Sequence, residues 1–133
     1  MIKRVMRSSL PLFVAAAVGG CSATPEKPAS SQPGLVYDKP AAEVQQAAVD
    51  ALTANGFNIN SSQPIYVEGS RPHKVGLLVG SGGETVGVWL ESLSPTRTGV
   101  KVDTAKSIAG IAGQKSWNSE IVQAMDKSVG PHE

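Results

Sequence analysis

The spacing of apolar residues changes twice along the chain, and each change marks a new kind of element. From Pro40 to about Ala54, apolar residues fall at Ala41, Val44, Ala48, Ala51 and Leu52, the spacing of one face of a helix. Asp38 can cap that helix, and Pro40 suits its first turn, where a missing N–H has no partner in any case. Asn55-Gly56 stops it, because glycine accepts the left-handed conformation that closes a helix. Beyond Gly56 the period becomes two. Phe57 and Ile59, then Ile65 and Val67, alternate with other residues on either side of the turn Ser61-Ser62-Gln63-Pro64. Val75, Leu77 and Val79 predict a third strand, ended by Gly80-Ser81-Gly82-Gly83. Val86, Val88 and Leu90 predict a fourth; after a turn over residues 94–99, Val100 and Val102 begin a fifth. A glycine-rich joint over residues 108–113 then leads to Trp117, Ile121, Met125 and Val129, whose period of four predicts a closing helix from about Ser116 to Val129. Glu120 lies in its first turn, where the helix dipole favours an acid.

Short separations and glycine-containing turns predict antiparallel neighbours. Two amphipathic helices and a sheet with one apolar face pack most simply as two layers. The expected fold is therefore α+β: a two-layer sandwich of an antiparallel sheet of about five strands with two helices on one face. If the valines face the helices, the other face carries Tyr66, Glu68, Gly76, Leu78, Gly87, Trp89, Glu91 and Lys101. An antiparallel sheet can leave one face wet, but Leu78 and Trp89 are costly there. Tyr66, Leu78 and Trp89 are thus a candidate docking face for a protein or an apolar ligand, since clustered exposed apolar area usually means contact. The competing expectation is that the chain covers them itself, through the segment before Leu35 or through Leu35 to Tyr37.

The folded part, expected over residues 35–130, follows two segments of different character. Residues 1–20 carry Lys3, Arg4 and Arg7, then an apolar stretch from Leu10 to Val18 broken only by Pro11, then Gly19-Gly20. A basic tip, a short apolar core and small residues before a cut describe an export signal. The stretch is shorter than the roughly 20 apolar residues a bilayer span needs. Residues 21–34 hold Cys21, the chain's single cysteine, and then Pro25, Pro28 and Pro33 among Ala, Ser and Thr. That composition predicts an extended tether that buries little, reaching roughly 40 Å at about 3.1 Å per residue.

Charge and chemistry exclude more than they assign. The 133 residues carry 12 Lys and Arg against 11 Asp and Glu. Without residues 1–20 the remaining 113 carry 9 against 11, which gives no reason to expect nucleic acid. The Gly80–Gly83 run lacks the Gly-Lys-Ser/Thr of a phosphate loop. Only His73 and His132 are present, His73 in a loop and His132 in a tail expected to fray, and there is no Gly-x-Ser-x-Gly elbow. Two isolated histidines do not make a metal site, so neither metal nor cofactor is expected. The carboxylates Glu84, Glu91, Asp50 and Asp126 read as solvated surface. The loop Ser70-Arg71-Pro72-His73-Lys74 is a candidate anion contact through Arg71, His73 and Lys74, because arginine's fork suits phosphate or carboxylate. Solubility alone is the simpler explanation of its charge.

With Cys21 directly after Val18-Gly19-Gly20, the leader resembles the lipobox of bacterial lipoproteins. That resemblance implies lipid (palmitate among it) on Cys21, removal of residues 1–20 and a membrane anchor. Ser22 in place of Asp implies the outer membrane, facing the periplasm. Tyr37-Asp38-Lys39-Pro40, Asn55-Gly56-Phe57, Thr85-Val86 and Gly113-Gln114-Lys115-Ser116-Trp117 resemble a pattern in small uncharacterised lipoproteins of Gram-negative bacteria. More distantly, the order of elements is similar to domains of the BamC lipoproteins, accessories of outer-membrane protein assembly. Neither resemblance defines functional residues. The expected function is a non-catalytic binding or accessory module for another envelope component. A structural or stress-related lipoprotein without a dedicated ligand is one alternative; a cell-wall- or lipid-active enzyme using His73 is another.

Overall fold

A computed structural model describes residues 24–30, 34–72, 83–106 and 116–133. The elements are β1 (Leu35–Tyr37), α1 (Ala41–Ala54), β2 (Asn58–Gln63), β3 (Tyr66–Ser70), β4 (Thr85–Ser94), β5 (Arg97–Ala105) and α2 (Asn118–Val129). The strands form one antiparallel sheet in the order β1-β5-β4-β3-β2. Helix α1 crosses from one edge strand to the other over a single face, and α2 returns from β5 to lie beside it. The expected α+β sandwich is the observed one. Its strands differ from the expected five in two respects. Ser61, Ser62 and Gln63, expected in a turn, end strand β2 and pair with β3, so the turn falls on Pro64-Ile65 and leaves Ile65 exposed. The sequence marks Leu35–Tyr37 only as the start of the fold; it is strand β1. The expected strand over Val75–Val79 lies outside the described residues; in the sheet β3 and β4 are direct neighbours, with Ser70 paired to Thr85.

The helix-facing positions bury as their period requires. Val44, Ala47, Ala48, Ala51 and Leu52 of α1 and Ile121 and Met125 of α2 close over Val67, Val86, Val88, Leu90 and Val100. Full burial of one such valine or leucine side chain contributes about 1.5–3 kcal/mol. The alanines on α1 let its backbone approach the sheet. Phe57 and Tyr37 fill the two ends of the layer, and Trp117 and Val129 pack partly buried at its margin.

Local chemistry sets the helix ends. Pro40 is the N-cap residue of α1, and its carbonyl accepts from the Glu43 and Val44 amides at 3.0 and 3.2 Å. Asp38, expected as the cap, instead binds Arg97 at 2.9 Å beside the β4–β5 turn. The C-terminus of α1 ends as expected. Gly56 adopts φ +85°, its N–H binds the Thr53 carbonyl (3.1 Å), and Phe57 N–H binds that of Leu52 (3.0 Å). This is a Schellman closure. The start of α2 is tied to β5. Thr104 Oγ1 accepts from the Trp117 amide (3.0 Å) and donates to Asn118 Oδ1 (2.7 Å).

Candidate functional site

Strand register decides which side chains share the outer face. Tyr66, Trp89 and Lys101 lie opposite one another across β3, β4 and β5; Glu68, Gly87 and Asp103 form the adjacent row. The sequence placed Tyr66, Glu68, Gly87, Trp89, Glu91 and Lys101 on this face, and their register agrees. Gly76 and Leu78 lie outside the described residues. The Tyr66 and Trp89 rings lie 5.1 Å apart, tilted by 37°. Tyr66 is held by its hydroxyl, which donates to Glu68 Oε2 at 2.6 Å, while Asn60 Nδ2 donates to Glu68 Oε1 at 3.2 Å. Burial raises the Tyr66 phenol pKa well above its ordinary value, and the hydrogen bond to Glu68 and the charges of Glu68 and Asp103 add to that rise.

Gly87 makes a notch between the two rings. A Cβ there would come within 2.8 Å of Trp89 Cη2, 2.9 Å of Tyr66 Oη and 3.0 Å of Pro25 Cβ. Pro25 thus sits over the glycine, buried in a segment whose neighbours are exposed. The segment continues across the sheet. Glu26 N–H donates to Asp103 Oδ2 at 3.0 Å, Lys27 lies beside Trp89, Glu91 and Lys101, and Lys101 Nζ donates to the Ser30 carbonyl. The segment expected to bury little is exposed at its described residues except Pro25, which is buried on the sheet. A proline ring opposite a missing side chain gains apolar contact while giving up no N–H donor. Part of the candidate docking face is therefore covered by the chain itself.

The candidate anion loop is divided. Arg71 stacks its guanidinium 4.6 Å from the Trp117 ring and 5.9 Å from Phe57, and those two rings meet edge-on at 5.4 Å. Its planar cation lies against aromatic faces at the α2 end of the core. His73 and Lys74 lie outside the described residues, as do Cys21 and the Gly80–Gly82 part of the glycine run.

Two expectations about polar residues are corrected. Glu84, read as solvated, is 1% exposed, and its Oε2 has no hydrogen-bond partner among the described residues. Its carbonyl pairs with the Arg71 amide at 2.9 Å, which anchors it where β3 and β4 part. The tail expected to fray is instead fastened. Glu133 N–H binds the Val36 carbonyl at 2.8 Å, and His132 Nδ1 lies 2.9 Å from Asp126 Oδ1. Tyr37 donates to the same oxygen at 2.9 Å, and its ring meets His132 edge-on. Asp126 is consequently not free surface. Burial by itself would raise its pKa, but the hydrogen bonds from His132 and Tyr37 outweigh that and hold it below the usual carboxylate range. For Tyr37, burial foremost and then the Asp126 hydrogen bond and charge push the phenol pKa up.

Beside this cluster a groove of about 450 Å³ runs between β5 and α2, with Leu35, Val100, Val102 and Val122 as apolar walls and Asp126 and His132 at one end. Sequence reasoning missed it. The residues that build it come from both ends of the chain, and no local pattern joins them. Among the described residues, no group of three or more His, Cys, Asp or Glu side chains could hold a metal ion. No helix among them is long and apolar enough to cross a membrane. The chain matches no protein-family model and no curated protein.

Proposed function

We propose that this chain is a lipid-anchored, non-catalytic binding module on the periplasmic side of a Gram-negative outer membrane. Its anchor is Cys21, exposed by removal of residues 1–20, and its working surface is the outer face of the sheet. The observation that carries the binding role is the Tyr66–Trp89 pair. Two large rings pack 5.1 Å apart on the sheet face opposite the described helices, with Tyr66 held by Glu68 and both rings leaning over Gly87. Aromatic side chains fixed beside a cleft give large contact area at low entropic cost, the usual make-up of a docking point. The anchoring role is supported by Val18-Gly19-Gly20-Cys21 and by Ser22 after it. The resemblance of the sequence to small lipoproteins of Gram-negative bacteria agrees with the anchor.

The seat taken by Pro25 favours a second reading, a structural envelope lipoprotein whose aromatic pair serves only to hold its own N-terminal segment. In-cell photocrosslinking separates the two. With a photoreactive residue at Glu91, which is exposed beside Trp89 on the same face, the binding role predicts discrete adducts that Trp89→Ala abolishes. Adducts absent, or unchanged by Trp89→Ala, contradict it.

A further inference from the structure

The outer face does more than expose two aromatic rings: it already holds a ligand. Three independent contacts fix residues 24–30 on it. Pro25 fills the Gly87 notch between Tyr66 and Trp89, the Glu26 amide donates to Asp103, and Lys101 binds the Ser30 carbonyl. One contact is a shape match to a proline ring. The other two engage main-chain groups, which any polypeptide supplies. Aromatic-lined grooves that read extended proline-containing segments use this combination, because proline lowers the entropy lost on docking. Asp103 accepts the main-chain amide that follows the proline.

We infer that the Tyr66–Gly87–Trp89 cleft is a recognition site for an extended, proline-containing peptide segment of a partner protein, and that residues 24–28 are its resident, intramolecular occupant. The inference deepens the binding role proposed above and rests on it, but it is independent of the lipid anchor. The favoured ligand has a proline over Gly87 and a free main-chain N–H on the next residue. An occupant in the same chain acts at an effective concentration on the order of millimolar. A partner segment must therefore displace it, and the strap sets a threshold below which weak or chance ligands are excluded.

The measurements use the chain with Cys21→Ser, which removes the proposed lipid site. The probe is a peptide of residues 22–30, Ser-Ala-Thr-Pro-Glu-Lys-Pro-Ala-Ser. The signals followed are the Gly87 amide and the Trp89 indole N–H in nuclear magnetic resonance spectra. Pro25→Asp places a carboxylate against Glu68 and Asp103 and should eject the strap, moving both signals while those of Ile121 and Met125 in the core stay put. The peptide should then restore them saturably, and at least about tenfold more tightly than it binds the unsubstituted chain. A peptide with alanine for its first proline should fail. Where Pro25→Asp disturbs the core signals, Pro25→Ala serves in its place. The inference is overturned if the strap variant leaves Gly87 and Trp89 unmoved, if the peptide does not bind it, or if the alanine peptide binds equally well. Sedimentation showing that the unsubstituted chain forms dimers by exchanging straps overturns it too, since the cleft would then belong to a second copy.

Discussion

At the scale of single residues, the molecule depends on side chains whose environments their sequence neighbours do not reveal. Tyr37 and Tyr66 are the chain's two tyrosines, and each donates its hydroxyl to a carboxylate, Asp126 and Glu68 respectively. Both phenols are raised in pKa, by burial first and by those carboxylates second. A raised folded value stabilises the protein fully below the unfolded value of about 10, and that contribution is lost only as pH rises through the folded values above it. The ultraviolet absorbance of phenolate should therefore show no step near pH 10 in the folded chain. Both tyrosines should ionise only at higher pH, together with alkaline unfolding. A separate step at pH 10 from either tyrosine, with the fold intact, contradicts the hydrogen bonds described. These residues also mark where sequence reading stops. Tyr37 and Asp126 are 89 positions apart, and Pro25 meets Gly87 across the sheet, so no period or motif joins either pair. Glu84 looked like surface because a lone acid between Gly83 and a strand carries no sign of burial.

At the scale of elements, far more was legible. The two helices and strands β3, β4 and β5 follow from periods of 3.6 and two, because each has one face that must leave water. The helix stop at Gly56 was legible for the same kind of reason: it is a local backbone requirement. Gly56→Ala places a Cβ at φ +85° and should lower stability by about 1–2 kcal/mol in urea unfolding, with the slope unchanged. A change near zero would mean the closure is relaxed in solution. β1 was not legible as a strand, since three residues are too few to show alternation. Its identity comes from pairing Leu35 with Val100 and Tyr37 with Thr98. Its other side is taken by Glu133, which binds Val36. The opposite edge, β2, is blunted differently, by a polar and mostly exposed sequence with a register shift between Ile59 and Ser61. Polar residues and irregular pairing at an edge guard against sheet-to-sheet association.

At the scale of the whole molecule, the sandwich separates two tasks. The helix-covered face supplies the core, and the other face is left to Tyr66, Trp89 and the strap. On the proposed anchoring, four residue steps from Cys21 to a seated Pro25 span at most about 14 Å, which holds the outer face close to the bilayer. Release of the strap lengthens the leash to residue 34 and lets the domain move out to roughly 40 Å. Displacement by a partner's proline segment would thus couple binding to reach. That coupling, and the address of the protein as a whole, rest on the chemistry of one thiol. The intact mass of the protein purified from the membranes of the cell that makes it tests this most directly. A mass equal to residues 21–133 plus covalently attached lipid, with Cys21 as the N-terminal residue, is the predicted result. An unmodified Cys21, or a mature chain that begins elsewhere, contradicts it.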